Sequence, residues 1–171
     1  MAFEPQIYIV ERIGSGFLAI MARPVPGEWI DEQFSQLSEM GIDRIVSLLE
    51  PEEARELGLG SESELCATHG IQFLSFPIGD RGVPSSIHDF RELSSMLYET
   101  TAGGINTVIH CRAGIGRASL MVASVLLFAG FEPDDAFNHI TKARGVSVPD
   151  TEEQQAWLRE SRNEILGLSP G

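Results

Sequence analysis

Apolar and polar positions alternate in blocks along this chain, and the period changes from block to block. Residues 7–13 and 17–21 alternate loosely on either side of Gly14-Ser15-Gly16. A period of two around a Gly-Ser-Gly turn predicts a β-hairpin. The same tripeptide has the composition of a nucleotide-binding glycine loop, but no helical pattern follows it, so the turn is the better reading. Residues 24–27 form a connector. Over residues 30–40 the period lengthens, placing Ile30, Phe34, Leu37 and Met40 on one face of a helix. Residues 44–49 read as a strand. Pro51 opens an acidic helix, since proline suits a first helical turn. Residues 58–61 break that helix, and a second short one ends near His69-Gly70. Strand pattern returns at 71–76, helix at 86–101 until Gly103-Gly104 stops it, and strand again at 105–109. Helical patterns then run near 116–129, 133–143 and 150–166. Trp29, Trp157, Met96 and Met121 fall within helical patterns as packing residues. Strands alternating with helices predict an α/β fold with a mainly parallel central sheet flanked by helices on both sides. We expect one domain over residues 1–166 and a loose tail over 167–171, with no repeat and no low-complexity segment. Ligand sites in such sheets lie beyond the C-terminal ends of the strands.

One strand end carries an unusual set of residues. His110-Cys111-Arg112-Ala113-Gly114-Ile115-Gly116-Arg117 joins the strand at 105–109 to an apolar helix. Gly114 and Gly116 allow the backbone to turn so that several N–H groups face one centre. The following helix aims its positive end at the same point. Arg117 adds a planar fork that fits two phosphate oxygens. Cys111 lies where these partial charges converge, so its thiolate form is favoured over the mostly protonated state of an ordinary thiol. The arrangement is that of a phosphate cradle over a thiol nucleophile, with Arg112, Ala113, Gly114, Ile115, Gly116 and Arg117 as the phosphate-binding residues.

His-Cys-x5-Arg between a strand and a helix resembles the signature of the protein tyrosine and dual-specificity phosphatases. Pro77-Ile78-Gly79-Asp80-Arg81-Gly82-Val83-Pro84 and Thr151-Glu152-Glu153-Gln154 extend the resemblance, which covers roughly residues 42–158. The pattern is nearest to the small dual-specificity enzymes of the cyclin-dependent kinase inhibitor-associated type. The resemblance implies a two-step reaction in which Cys111 takes the phosphoryl group and water releases it. It also implies a general acid for the leaving oxygen. Asp80 is the candidate, in a Pro- and Gly-rich loop beyond a strand end and 31 residues before Cys111. Asp89 is the alternative, less mobile inside a helical run. Gln154 resembles the family's water-positioning glutamine, with an exposed helix glutamine as the plain alternative and Gln155 as the fallback. His110 is expected to order the loop through hydrogen bonds rather than act as a base. One position departs from the family pattern. The residue after the arginine is Ala118, where the family usually has Ser or Thr. Ser119 lies one residue on, rotated about 100° around the helix, and does not replace it. The resemblance therefore implies slow breakdown of the phosphocysteine.

Composition narrows the remaining classes. The chain has 171 residues, net charge −13 and a single lysine, Lys142. Such a surface disfavours nucleic acid and anionic membranes, so the expected partner is a phosphorylated protein or peptide. Arg81, Arg112, Arg117 and either Lys142 or Arg144 must supply local positive charge. Lipid phosphatases often carry loop lysines, and here those positions hold Arg112 and Ile115. His88 and His139 lack partners at ligand spacing, so neither metal nor cofactor is expected. Cys66 reads as a helix core residue, with a reversible disulfide to Cys111 as the alternative. Residues 1–5 lack a basic start and a long apolar stretch, and no run reaches a membrane span. A cytoplasmic protein is expected. The competing functions are a phosphopeptide-binding relative without turnover, and a sulfurtransferase or arsenate reductase built on a similar loop.

Overall fold

The computed structural model describes residues 4–169, so residues 1–3 of the expected leaderless start and residues 170–171 of the expected tail lie outside it. Five strands form one sheet: β1 (Tyr8–Ile13), β2 (Gly16–Met21), β3 (Arg44–Ser47), β4 (Gln72–Ser75) and β5 (Thr107–His110). Their order is β1-β2-β5-β3-β4. The hairpin pair β1 and β2 is antiparallel, and every other neighbour is parallel. The sheet is therefore mixed, with the parallel part as expected and the hairpin adding one antiparallel edge.

The helices are α1 (Ile30–Glu39), α2 (Pro51–Glu56), α3 (Glu62–Thr68), α4 (Ile87–Ala102), α5 (Arg117–Phe128), α6 (Pro133–Arg144) and α7 (Glu152–Ile165). Phe34 and Leu37 of α1 and Cys66 of α3 pack with Ala19, Ile45 and Val108 on one sheet face. Residues of α4, α5, α6 and α7 pack with Leu18, Ile20, Val46 and Ile109 on the other. Helix α5 is buried continuously from Arg117 to Leu127. A helix apolar on all sides has to be surrounded, and α4, α6 and α7 all contact it. β5 sits between β2 and β3 and is buried along its length, which is why its apolar run is continuous rather than alternating.

Two expected packing residues lie elsewhere. Trp29 precedes α1 and is 45% exposed, and Met40 follows it at 41%. Trp29 lies one residue before the helix and Met40 one residue after it, so both side chains fall off its buried face. Trp157 does pack, edge-on against Phe90 with centroids 5.3 Å apart. Met121 is buried, and Met96 lies against the same core. Residues 167 and 168 are tied back to α7 by backbone hydrogen bonds to Glu164 and Asn163.

The hairpin turn depends on Gly14, whose φ is +57°, and a Cβ there would collide with the carbonyl oxygen of Ala102. Gly14→Ala is expected to lower the unfolding free energy by roughly 2 kcal/mol in urea denaturation. Gly60 has open space around it, and Gly60→Ala should stay within about 0.5 kcal/mol.

Candidate active site

The parallel strands β3, β4 and β5 end on the same side of the sheet, and their following loops form the site. After β5 the chain enters the loop 111–116 and then α5. After β3 it runs through Leu48, Leu49 and Glu50 into α2. After β4 it runs through residues 76–86 into α4. A cavity of about 210 Å³ opens where these segments meet. Cys111, Arg112, Ala113, Ile115, Gly116 and Arg117 line its floor, with Asp80, Arg81 and Asp150 at its sides. The fold thus brings together the sequence-predicted Cys111, Arg117 and Asp80. Asp89 is exposed in the first turn of α4, where its N–H donates to the Ser86 hydroxyl, and does not line the cavity.

The loop is held from outside. Gly114 has φ +70°, and a Cβ there would meet the Met21 carbonyl. The backbone N–H of Arg23 donates to the Arg112 carbonyl at 3.2 Å. Arg144, at the end of α6, donates to the carbonyls of Ala113 at 2.9 Å and Gly114 at 3.2 Å. Its guanidinium also stacks over the Tyr8 ring at 4.5 Å. A trans peptide points its N–H opposite its C=O. Holding these two carbonyls outward therefore turns the N–H groups of Gly114 and Ile115 toward the cavity. Lys142 is exposed and contributes nothing to the lining.

Arg117 is 2% exposed and makes four hydrogen bonds. Its Nη1 donates to Glu53 Oε1 and to the Ile78 carbonyl, both at 2.8 Å. Its Nη2 donates to Glu53 Oε2 at 2.9 Å and to Asp80 Oδ1 at 3.1 Å. The bidentate bond from Arg117 holds the Glu53 carboxyl below its usual range against the opposing effect of burial. Burial works against the charge on Arg117, but the Glu53 bond, Cys111 and the two carboxylates outweigh it and raise its pKa. Arg112 lies 3.3 Å from Glu53, and Arg81 lies 3.7 Å from Asp150. Each pocket arginine is therefore matched by a carboxylate, which offsets the local positive charge expected of Arg81, Arg112 and Arg117.

His110 is fully buried and bonds both ways, to the Cys111 carbonyl at 3.1 Å and to Glu62 at 2.6 Å. Gln154 is buried rather than exposed. Its Oε1 accepts from the N–H groups of Asp150 and Thr151, and its Nε2 donates to the Gly82 carbonyl at 3.0 Å. It abuts Gly116 from behind and ties the Asp80 loop to α7. Gln155 is half-buried in the next position of the helix. Ala118 and Ser119 are both buried in α5, and the Ser119 hydroxyl has no partner. Cys66 is a free thiol pushed up to about 12, by burial and then by the charge of Glu62. It belongs to the core on the opposite sheet face from Cys111. Among the described residues no cluster of His, Cys, Asp and Glu could hold a metal ion, and no helix is long and apolar enough to cross a membrane.

Sequence reading missed Glu53, Glu62 and Asp150. Glu53 sits in an acidic run that looks like a solvated helix start. Thr151-x-x-Gln154 is a legible capping box, and it marks why Gln154 faces inward.

Known proteins place this geometry in a family. Residues 9–166 match the family described as "PTP-SAK: Swiss Army Knife protein, DSP-PTPase phosphatase domain". The chain belongs to this family of dual-specificity and tyrosine phosphatase domains. It is 26% identical over 138 residues to rat cyclin-dependent kinase inhibitor 3, covering 80% of this chain and 65% of that protein. Over 160 residues it is 28% identical to bovine protein tyrosine phosphatase domain-containing protein 1, covering 87% of this chain and 20% of that protein. The fold is that of a kinase associated phosphatase solved with its catalytic cysteine changed to serine. The TM-score is 0.88 at 23% identity, covering 99% of this chain and 100% of that one.

Glu53→Gln should lower both kcat/KM and the melting temperature at neutral pH. The folded pKa of Glu53 is depressed, so its contribution to stability is present above the unfolded value of about 4.3 and lost as pH falls below it. The melting-temperature gap between native protein and variant should therefore close in acid, as read by thermal unfolding across pH.

Proposed function

We propose that this chain is a protein phosphatase that hydrolyses phosphotyrosine through a phosphocysteine, and phosphoserine and phosphothreonine as well. The observation that carries the reading is the convergence of Cys111, Arg117 and Asp80 on one cavity. Family membership and the kinship with proteins named as dual specificity phosphatases support it.

In this reading the cradle binds the phosphoryl oxygens through the loop N–H groups and Arg117. All four Nη hydrogens of Arg117 already have acceptors, and one of these is Asp80. An incoming phosphoryl oxygen takes the place of the Asp80 carboxylate on Nη2. Asp80 is then released toward the leaving oxygen and, freed from the guanidinium, takes up a proton from solvent. The Cys111 sulfur attacks phosphorus, the P–O bond to the leaving group breaks, and its electron pair stays on that oxygen, which takes the proton from Asp80. Water next attacks phosphorus and gives its proton to Asp80. The S–P bond breaks, and the pair returns to sulfur as the thiolate. Glu53 keeps the planar guanidinium in place throughout, so no reorganisation is needed when charge builds up.

Two features qualify the second step. Ala118 offers no hydroxyl to the departing thiolate. The carboxamide of Gln154 is engaged by Gly82, Asp150 and Thr151, so it must leave those partners to hold a water. Both favour accumulation of the phosphocysteine.

Cys111→Ser should abolish turnover of para-nitrophenyl phosphate and of a phosphotyrosyl peptide. Retained turnover in that variant would falsify the reading. Asp80→Asn should lower kcat roughly 100-fold on esters with poor leaving groups. Ala118→Ser should speed phosphocysteine hydrolysis by about 10- to 100-fold. Rapid-mixing assays should show a burst in the native protein that shrinks in Ala118→Ser. Equal burst amplitudes would count against a slow second step.

A further inference from the structure

We propose that Glu62 is a positioning residue for the Cys111 loop and that it acts through His110, by keeping both ring nitrogens of that histidine protonated. The inference rests on the reading of Cys111 as nucleophile. His110 is the last residue of β5, paired with Met21 on one side and Ser47 on the other. Side chains alternate along a strand. Val108 packs on the α1 and α3 face and Ile109 on the α5 face, so the His110 ring points back to the α3 side. Glu62, the first residue of α3, meets it there. Both side chains are buried, at 0% and 3% exposure.

The donor arithmetic at the ring is closed. Nδ1 lies 3.1 Å from the Cys111 carbonyl, which can only accept, so Nδ1 carries a hydrogen. Nε2 lies 2.6 Å from Glu62 Oε2, and a carboxylate also only accepts, so Nε2 carries a hydrogen too. The ring is then an imidazolium sandwiched between a carboxylate and a carbonyl. No arginine or lysine lines the cavity of about 220 Å³ beside Glu62. Its polar lining besides Glu62 includes the hydroxyls of Ser47, Ser63 and Ser75. The charge of Glu62 also acts on the Cys66 thiol, one turn along α3, and Cys111 adjoins His110 in the chain.

Two consequences reach the reacting atom. The Nδ1 bond fixes the Cys111 carbonyl, and the N–H of the same trans peptide, on Arg112, is thereby turned the opposite way. The ring also carries its charge on the residue that adjoins the nucleophile in the chain. A buried carboxylate on the far side of the sheet thus sets the loop geometry and the local field without touching substrate.

The test uses the full chain with ring-labelled histidine in nitrogen-detected NMR, which reads protonation whether or not the protein turns over phosphate. There are only four histidines to assign. Native protein near neutral pH should show a hydrogen on both nitrogens of His110, and Glu62→Gln should leave only the Nδ1 hydrogen. A single ring hydrogen in the native protein overturns the proposal. In kinetics with para-nitrophenyl phosphate, Glu62→Gln should lower kcat about 10- to 100-fold, while inhibition by inorganic phosphate stays within about twofold. Unchanged kcat, or a parallel loss of phosphate affinity, overturns it. Combining Glu62→Gln with His110→Gln should cost no more than the worse single variant, because one residue acts through the other. Additive losses also overturn it.

Discussion

The bidentate bond between Arg117 and Glu53 is the constraint on which the rest of the site depends. It brings together the first residue of α5 and the short helix after β3, and its guanidinium also grips the Asp80 loop through the Ile78 carbonyl. Three loops from three strand ends are thereby held in register by one planar group. Burying a charge is costly unless it is paired and its hydrogens are satisfied. Here four Nη hydrogens find four acceptors, and the Glu53 oxygens accept from Arg117 and from the Glu50 N–H, with the Arg112 guanidinium 3.3 Å away. Removing either partner leaves the other without its bidentate mate, facing only Asp80 or Arg112, so geometry and stability fail together.

The same logic explains how an acidic protein accommodates a phosphate site. The pocket does not carry a free excess of arginine. Arg81, Arg112 and Arg117 each face a carboxylate, so the unliganded cavity is close to neutral. Asp80 occupies one hydrogen of Arg117, the one that a phosphoryl oxygen takes over in the proposed mechanism. The Asp80 loop is restrained at both ends of its turn, by Arg117 at Ile78 and by Gln154 at Gly82, with Arg81 at φ +61° between them.

Local pattern made much of this visible before the fold was known. The strand–loop–helix around Cys111 was legible because a buried strand, two glycines and a mostly apolar helix leave distinct marks along one short stretch of chain. Asp80 was marked by the family resemblance, because its turn residues alone suit a solvated aspartate equally well. The supporting carboxylates were not. Glu53 and Glu62 lie 64 and 48 residues from their partners in sequence, and each sits in an acidic stretch that reads as solvated surface. Their burial follows from where β3 and α3 deliver them, which no short-range period encodes. Trp29 and Met40 err in the other direction, since an apolar pattern does not tell where a helix stops.

The account turns on a phosphoryl group passing to the Cys111 sulfur. Rapid acid quench of the full-length chain with a phosphotyrosyl peptide, followed by mass spectrometry of the digested protein, tests that directly. The prediction is the mass of one phosphoryl group on the peptide that contains Cys111, larger in the native protein than in Ala118→Ser and absent from Cys111→Ser. A turning-over protein with no adduct on that peptide, or with the adduct on another residue, would contradict it.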